Sequence, residues 1–204
     1  MILTRSCRRP ELLRQRAGVL SLTIGVGLLT VARNLFARRW LGHMAAIQLL
    51  SYGLLLLTSL AAAGYAGLPP RDLGLSWGRL KLRLGGALVL TVALTAPGLM
   101  HGVSALAAVA AVPGALAVAT IEELLLRGVL YTLWQQSSGI GSAIVLTSLA
   151  FAATHAFLYP PPVILLGLIT GLLLASWRAL TNDLIAPIVA HSAVDAIALA
   201  VLRY

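Results

Sequence analysis

The chain is a succession of long apolar runs, with most of its arginines in the N-terminal tail and the short loops between the runs. The runs cover residues 18–32, 44–67, 84–100, 103–135, 138–157, 163–177 and 184–202. A helix needs about 20 apolar residues to cross a hydrocarbon core. Lipid offers no water to exposed N–H and C=O groups, so runs this long and this uniformly apolar span as helices. The expected fold is all-α, a polytopic membrane helix bundle of about seven transmembrane helices. Within the fourth run, Pro113-Gly114 is expected to kink or break the helix, which resumes at residue 115.

Charge placement supports the same reading. Charged residues make up 10% of the chain, where soluble domains carry about 25%. Fifteen basic and six acidic side chains cannot clothe a soluble globule of 204 residues. A soluble fold, a disordered chain and a coiled coil are excluded. The net charge of +9 invites a nucleic-acid reading, but no basic patch with interleaved aromatics exists outside the loops, so no nucleic-acid partner is expected.

The basic residues instead set topology. With the N-terminus in the cytoplasm, ten lie in the inner segments (the tail, the 68–83 loop and the turns at 136–138 and 178–183). Four lie in outer segments, and Arg127 lies within a span. The expected organisation is a basic cytoplasmic tail at 1–17 followed by an integral membrane domain at 18–204, in the cell membrane. No small-x-small cleavage site follows the first run, which is read as a retained helix. Cys7 is the only cysteine, so no disulfide forms within the chain. Trp40, Trp77, Trp134 and Trp177 fall near helix ends, as interfacial anchors do. His43 and His101 sit in outer turns, and Arg178 and Arg203 mark membrane boundaries. Gly167 and Gly171 form a GxxxG pair that allows close helix packing.

The exceptions to this apolar background are concentrated. Three of the six acids, Glu122, Glu123 and Asp195, lie inside apolar helices, with Arg127, His155 and His191. Each intramembrane charge is costly, about 2.5–3.5 kcal/mol on insertion scales. In AVATIEELLLRGVLY, Glu123 and Arg127 are four apart and can pair on one helix face. Glu122 lies off that face, so one carboxylate can be neutralised while its neighbour stays available. Phe151 and His155 are four apart on the next helix, and His191 and Asp195 four apart on the last. Pro187 lies one turn before His191 and is read as freeing a backbone carbonyl inside that helix. A carboxylate near a histidine can activate water, and a second histidine with a hydrogen-bonding neighbour can stabilise an oxyanion. The residues alone reach a polar catalytic centre in a membrane bundle, and a buried ion network or a proton path remains open beside it.

The same residues resemble a known family. EELLLRG at 122–128 is similar to the EExxxR motif of the CAAX protease and bacteriocin-processing (CPBP) intramembrane endopeptidases. FAATH at 151–155 resembles the family's FxxxH motif, and HSAVD at 191–195 its HxxxN or HxxxD motif. The resemblance covers about 105–204, which it marks as the catalytic core. It implies that Glu122 and His155 activate the attacking water. It also implies that His191 and Asp195 form the oxyanion-stabilising pair, with Glu123, Arg127 and Phe151 in support. It implies a membrane-associated peptide or protein substrate, either CAAX-type or related to bacteriocin maturation or immunity. It implies no cofactor. Asp195 stands where the family often has asparagine, and an ionised aspartate cannot donate to an oxyanion. The alternatives are a zinc-dependent membrane protease built on the same histidines and carboxylates, and a non-enzymatic transporter or scaffold with a buried polar network.

Overall fold

The computed structural model describes residues 8–39, 44–75, 78–99, 105–156 and 160–201. The expectations for Cys7, Trp40, His43, Trp77, His101 and Arg203 fall outside these residues. The described residues form α1 (Arg8–Arg39), α2 (Met44–Tyr65), α3 (Leu80–Leu99), α4 (Ala105–Glu123), a wide π-helical turn (Leu124–Leu130), α5 (Tyr131–Ser138), α6 (Ile140–His155), α7 (Pro161–Thr181) and α8 (Ile185–Val201). No strand occurs among them. Each apolar run of the sequence corresponds to one helical stretch, the fourth comprising α4, the π turn and α5. By length and composition, 14–32, 108–138 and 161–181 are able to cross a membrane, and shorter apolar helices cover 49–65, 140–155 and 185–198.

Three local expectations need correction. α4 continues through Pro113 without a break. Opening it in lipid would strand further backbone groups at several kcal/mol each, which outweighs the one hydrogen bond that proline removes. α8 begins at Ile185, so Pro187 sits in its first turn, where the N–H has no intrahelical acceptor anyway. No interior carbonyl is freed there. α1 begins at Arg8, well ahead of the apolar run.

The described residues fall into two compact units. One contains α1, the start of α2, and Leu130–Ala175. There α1 packs on α5 and α6, and α5 packs on α6. Val19, Val26 and Thr30 bury one stripe of α1, while Leu20, Ile24 and Leu28 face outward. Trp134 is buried, and its indole N–H donates to Thr23 Oγ1 at 3.1 Å, so it is an internal residue rather than an interfacial anchor. Arg16 Nε donates to the Ser137 carbonyl at 2.8 Å, joining the basic tail to the 136–138 turn. α7 opens on Pro161-Pro162, where proline's fixed φ suits a first turn. Gly171 lets α7 approach α6 closely: a Cβ there would lie 3.1 Å from Ser148 Cα.

The other unit contains Tyr52–Val129 and the chain from Ser176 on. α8 packs on both α4 and α3. Alanines at i, i+4 spacing (Ala115 and Ala119, Ala186 and Ala190, Ala196 and Ala200) are buried, and small residues let membrane helices close up. On α3, Leu90 and Leu94 are buried, while Leu80, Leu84, Leu88 and Val92 form an exposed stripe. A helix apolar on both its inner and outer faces is at home in lipid, not in water.

The loop before α3 is tied to the α7–α8 turn. Leu184 N–H donates to the Gly74 carbonyl at 3.1 Å, and Arg83 Nε to Asp183 Oδ1 at 2.9 Å. Asp183 Oδ2 accepts from Ala186 N–H at 3.0 Å, satisfying a first-turn donor of α8. Gly74 has φ +84, and a Cβ there would lie 3.0 Å from Arg178 Nε and 3.1 Å from Leu184 N.

Candidate active site

α4 ends on Glu122 and Glu123, and the π turn that follows carries Arg127. Such wide turns recur at functional sites because they redirect side chains and release backbone carbonyls. Here the Arg127 carbonyl accepts from Arg178 Nε at 3.1 Å. Arg178 Nη2 also donates to the Asp72 carbonyl at 2.6 Å, and Nη1 donates to Asn182 Oδ1. Arg178 is therefore a buried clamp between the π turn and the 68–75 loop. Trp177 beside it is half-buried and packs on Gly86 of α3.

Glu123 is fully buried. Its Oε1 accepts from Arg127 Nη1 at 2.7 Å, the pairing that the i, i+4 spacing predicts. The same oxygen lies 2.9 Å from His191 Nδ1 on α8. A carboxylate paired with arginine can only accept, so His191 Nδ1 carries a hydrogen and donates it. The exchangeable position of His191 is then Nε2.

Nε2 faces two more carboxylates. Glu122 Oε2 is 3.9 Å away and Asp195 Oδ2 is 3.6 Å away. Both gaps exceed a hydrogen bond, yet an oxygen atom seated among the three groups could bond to all of them. Protonated at Nε2, His191 can donate to an oxyanion; unprotonated, it can accept a proton from water. Tyr52 of α2 donates its hydroxyl hydrogen to Glu122 Oε1 at 3.4 Å. Burial grades across the group. The Glu123 and Arg127 side chains are 0% exposed, Glu122 is 11% and Asp195 is 29%.

Phe151 and His155 belong to α6 in the first unit. His155 Nδ1 lies 3.0 Å from the Phe151 carbonyl, so it too carries a hydrogen and leaves Nε2 for chemistry. Thr154 Oγ1 is 3.1 Å from the same nitrogen and donates to the Phe151 carbonyl at 2.6 Å. The Phe151 and His155 rings meet edge-on, with centroids 4.8 Å apart. Gly167 of α7 lies beside the imidazole, where a Cβ would be 3.8 Å from Nδ1.

The structure thus gathers Glu122, Glu123, Arg127, His191 and Asp195 in one unit, and Phe151 and His155 in the other. Sequence reasoning missed Tyr52 and Arg178. A tyrosine in an apolar helix carries no signal of its own, and an arginine at a helix end reads as a topology marker. Among the described residues, no group of three or more His, Cys, Asp or Glu side chains is arranged to hold a metal ion. Residues 103–197 match the family model described as type II CAAX prenyl endopeptidase Rce1-like. No curated protein and no solved structure matches the chain.

Proposed function

We propose, from the premise that the segment 103–197 belongs to the CAAX-protease family of membrane peptidases, that the chain is a glutamate-type intramembrane endopeptidase. Its water is activated by Glu122 and His155. The observation that carries this reading is the division of labour between consecutive glutamates. Glu123 is committed to Arg127 and His191, while Glu122 turns Oε2 to His191 Nε2 at 3.9 Å and Oε1 to the Tyr52 hydroxyl.

Glu122 takes a proton from a water, with His155 sharing the task. The resulting hydroxide attacks the substrate carbonyl carbon. The C–N bond then breaks, and the proton passes to the departing amine. His191, held through Nδ1 by Glu123, meets the developing oxyanion through Nε2. Asp195 acts on His191 rather than on the oxyanion, since an ionised carboxylate would repel that charge. Asp195 Oδ2 at 3.6 Å from Nε2 supports this division.

The family description favours a CAAX-type, prenylated substrate over a bacteriocin precursor. The arginine distribution supports an N-terminus in the cytoplasm, at the cell membrane. The proposed chemistry uses no metal.

The test is hydrolysis of a farnesylated CAAX reporter peptide by membranes containing the chain. Glu122→Ala and His155→Ala are expected to lower the rate about 10²–10⁴-fold, the usual contribution of an acid–base group. Full activity in either variant overturns the assignment. Stoichiometric zinc in the purified protein, lost in His191→Ala, would replace the metal-free reading with a zinc one.

A further inference from the structure

We infer that Tyr52 is a positioning residue of the peptidase site, supplied from outside the segment that matches the family model. The inference rests on the proposed role of Glu122. Tyr52 is half-buried on α2, and its hydroxyl donates to Glu122 Oε1 at 3.4 Å. The two oxygens of that carboxylate are thereby divided. Oε1 is turned to the Tyr52 hydroxyl, and Oε2 is turned to His191 Nε2.

A carboxylate on a flexible glutamate side chain can otherwise rotate about its last bond, which is broad and roughly two-fold. A base whose lone pairs wander is a poor base, because proton transfer requires hydrogen-bond geometry at the moment of reaction. The neighbouring groups have other bonds. Arg127 Nη1 and His191 Nδ1 are both given to Glu123, and Asp195 is an acceptor like Glu122 itself. The Tyr52 hydroxyl is a neutral donor that holds Oε1, so that Oε2 presents its lone pairs to the water. Residues 103–197 hold the motifs, whereas α2 supplies the donor that aims one of them.

Tyr52→Phe removes this donor and keeps the ring. The experiment measures kcat and KM for the farnesylated CAAX peptide with the whole chain in lipid nanodiscs, beside wild type and Glu122→Ala. Removing a hydrogen bond to a charged group predicts a fall in kcat of about tenfold or more, with KM within about twofold. A merely structural role would lower the amount of folded protein without separating kcat from KM. Wild-type cleavage with an unchanged kcat in Tyr52→Phe overturns this inference and leaves the peptidase reading intact. If wild type does not cleave the peptide, the peptidase reading fails and infrared spectroscopy decides the role of Tyr52. The carboxylate bands lost in Glu122→Gln belong to Glu122. They are expected to shift in Tyr52→Phe, and bands that stay in place overturn the inference.

Discussion

The two units differ in what meets their charged groups, not in how they satisfy their hydroxyls. In the first, Thr23, Thr30, Thr147, Ser148 and Thr154 each donate to a carbonyl three or four residues earlier in their own helix, as Thr58, Ser59, Thr95, Thr120, Thr181 and Ser192 do in the second. Its cross-helix side-chain bonds include Arg16 to Ser137 and Trp134 to Thr23. In the second, charged groups reach across long stretches of chain. His191 meets Glu123 over 68 positions, Arg83 meets Asp183 over 100, and Arg178 meets the Asp72 carbonyl over 106. A hydroxyl in lipid can be satisfied locally at little cost. A guanidinium or carboxylate needs a charged or strongly polar partner, from the next turn as for Arg127 and Glu123 or from another segment. Local bonds specify nothing about the tertiary arrangement, whereas long-range ionic ones specify it strongly. The unit that holds the Glu122 group is therefore the one whose geometry its polar residues define.

The most severe way to break this comparison is Arg127→Met. It leaves the buried Glu123 carboxylate with His191 as its remaining close donor. Removing one member of a buried ion pair costs about 3–5 kcal/mol. The thermal midpoint in detergent should fall steeply, and peptide hydrolysis should go with it. Arg127→Met combined with Glu123→Gln removes both charges and should recover part of the lost stability. A double variant no more stable than the single would show that the pair is not what holds these helices.

A smaller effect is expected from shape alone. Gly86 of α3 lies so close to the Trp177 ring that an added Cβ would overlap it, whereas a Cβ at the adjacent Gly85 meets nothing within 4 Å. Gly86→Ala should cost about 1–3 kcal/mol through overpacking. Gly85→Ala should be neutral or mildly stabilising, by up to about 1 kcal/mol of helix propensity. The pair is measured as two thermal midpoints. Equal shifts would mean that α3 does not depend on contact with Trp177.

Much of this arrangement was legible in the sequence, and the misses have identifiable causes. The helical spans follow from the apolar runs, and the Glu123–Arg127 pair from its spacing. The Glu123–His191 bond was invisible, because only the packing of α8 on α4 brings residues 68 positions apart together. The π turn at LLLRGVL has no composition signal. Its residues suit an α-helix equally well, and the Arg178 clamp on its carbonyl appears only in three dimensions. The break allowed for at Pro113 does not occur, because the rule for proline comes from helices that can open into water. Trp134 was misread because a tryptophan near a helix end faces the interface only if nothing covers it. Here α1 packs on α5, and Thr23 takes the indole N–H.

The smallest expected effect tests the other side of the comparison. Thr147 is fully buried on α6, and its hydroxyl donates to the Ala143 carbonyl at 2.7 Å. That carbonyl also receives an amide of the helix ladder, so Thr147→Val strands no buried acceptor. It also keeps the branched shape that fills the space. The net worth of such a bond is at the low end of the usual range, about 0.5 kcal/mol. The midpoint in detergent should move little, far less than in Arg127→Met. A loss as large as that of Arg127→Met would mean that the local hydroxyl bonds of the first unit carry tertiary structure after all. The distinction between locally closed and long-range polarity would then fail where it is easiest to check, on a residue far in sequence from every charged group except His155.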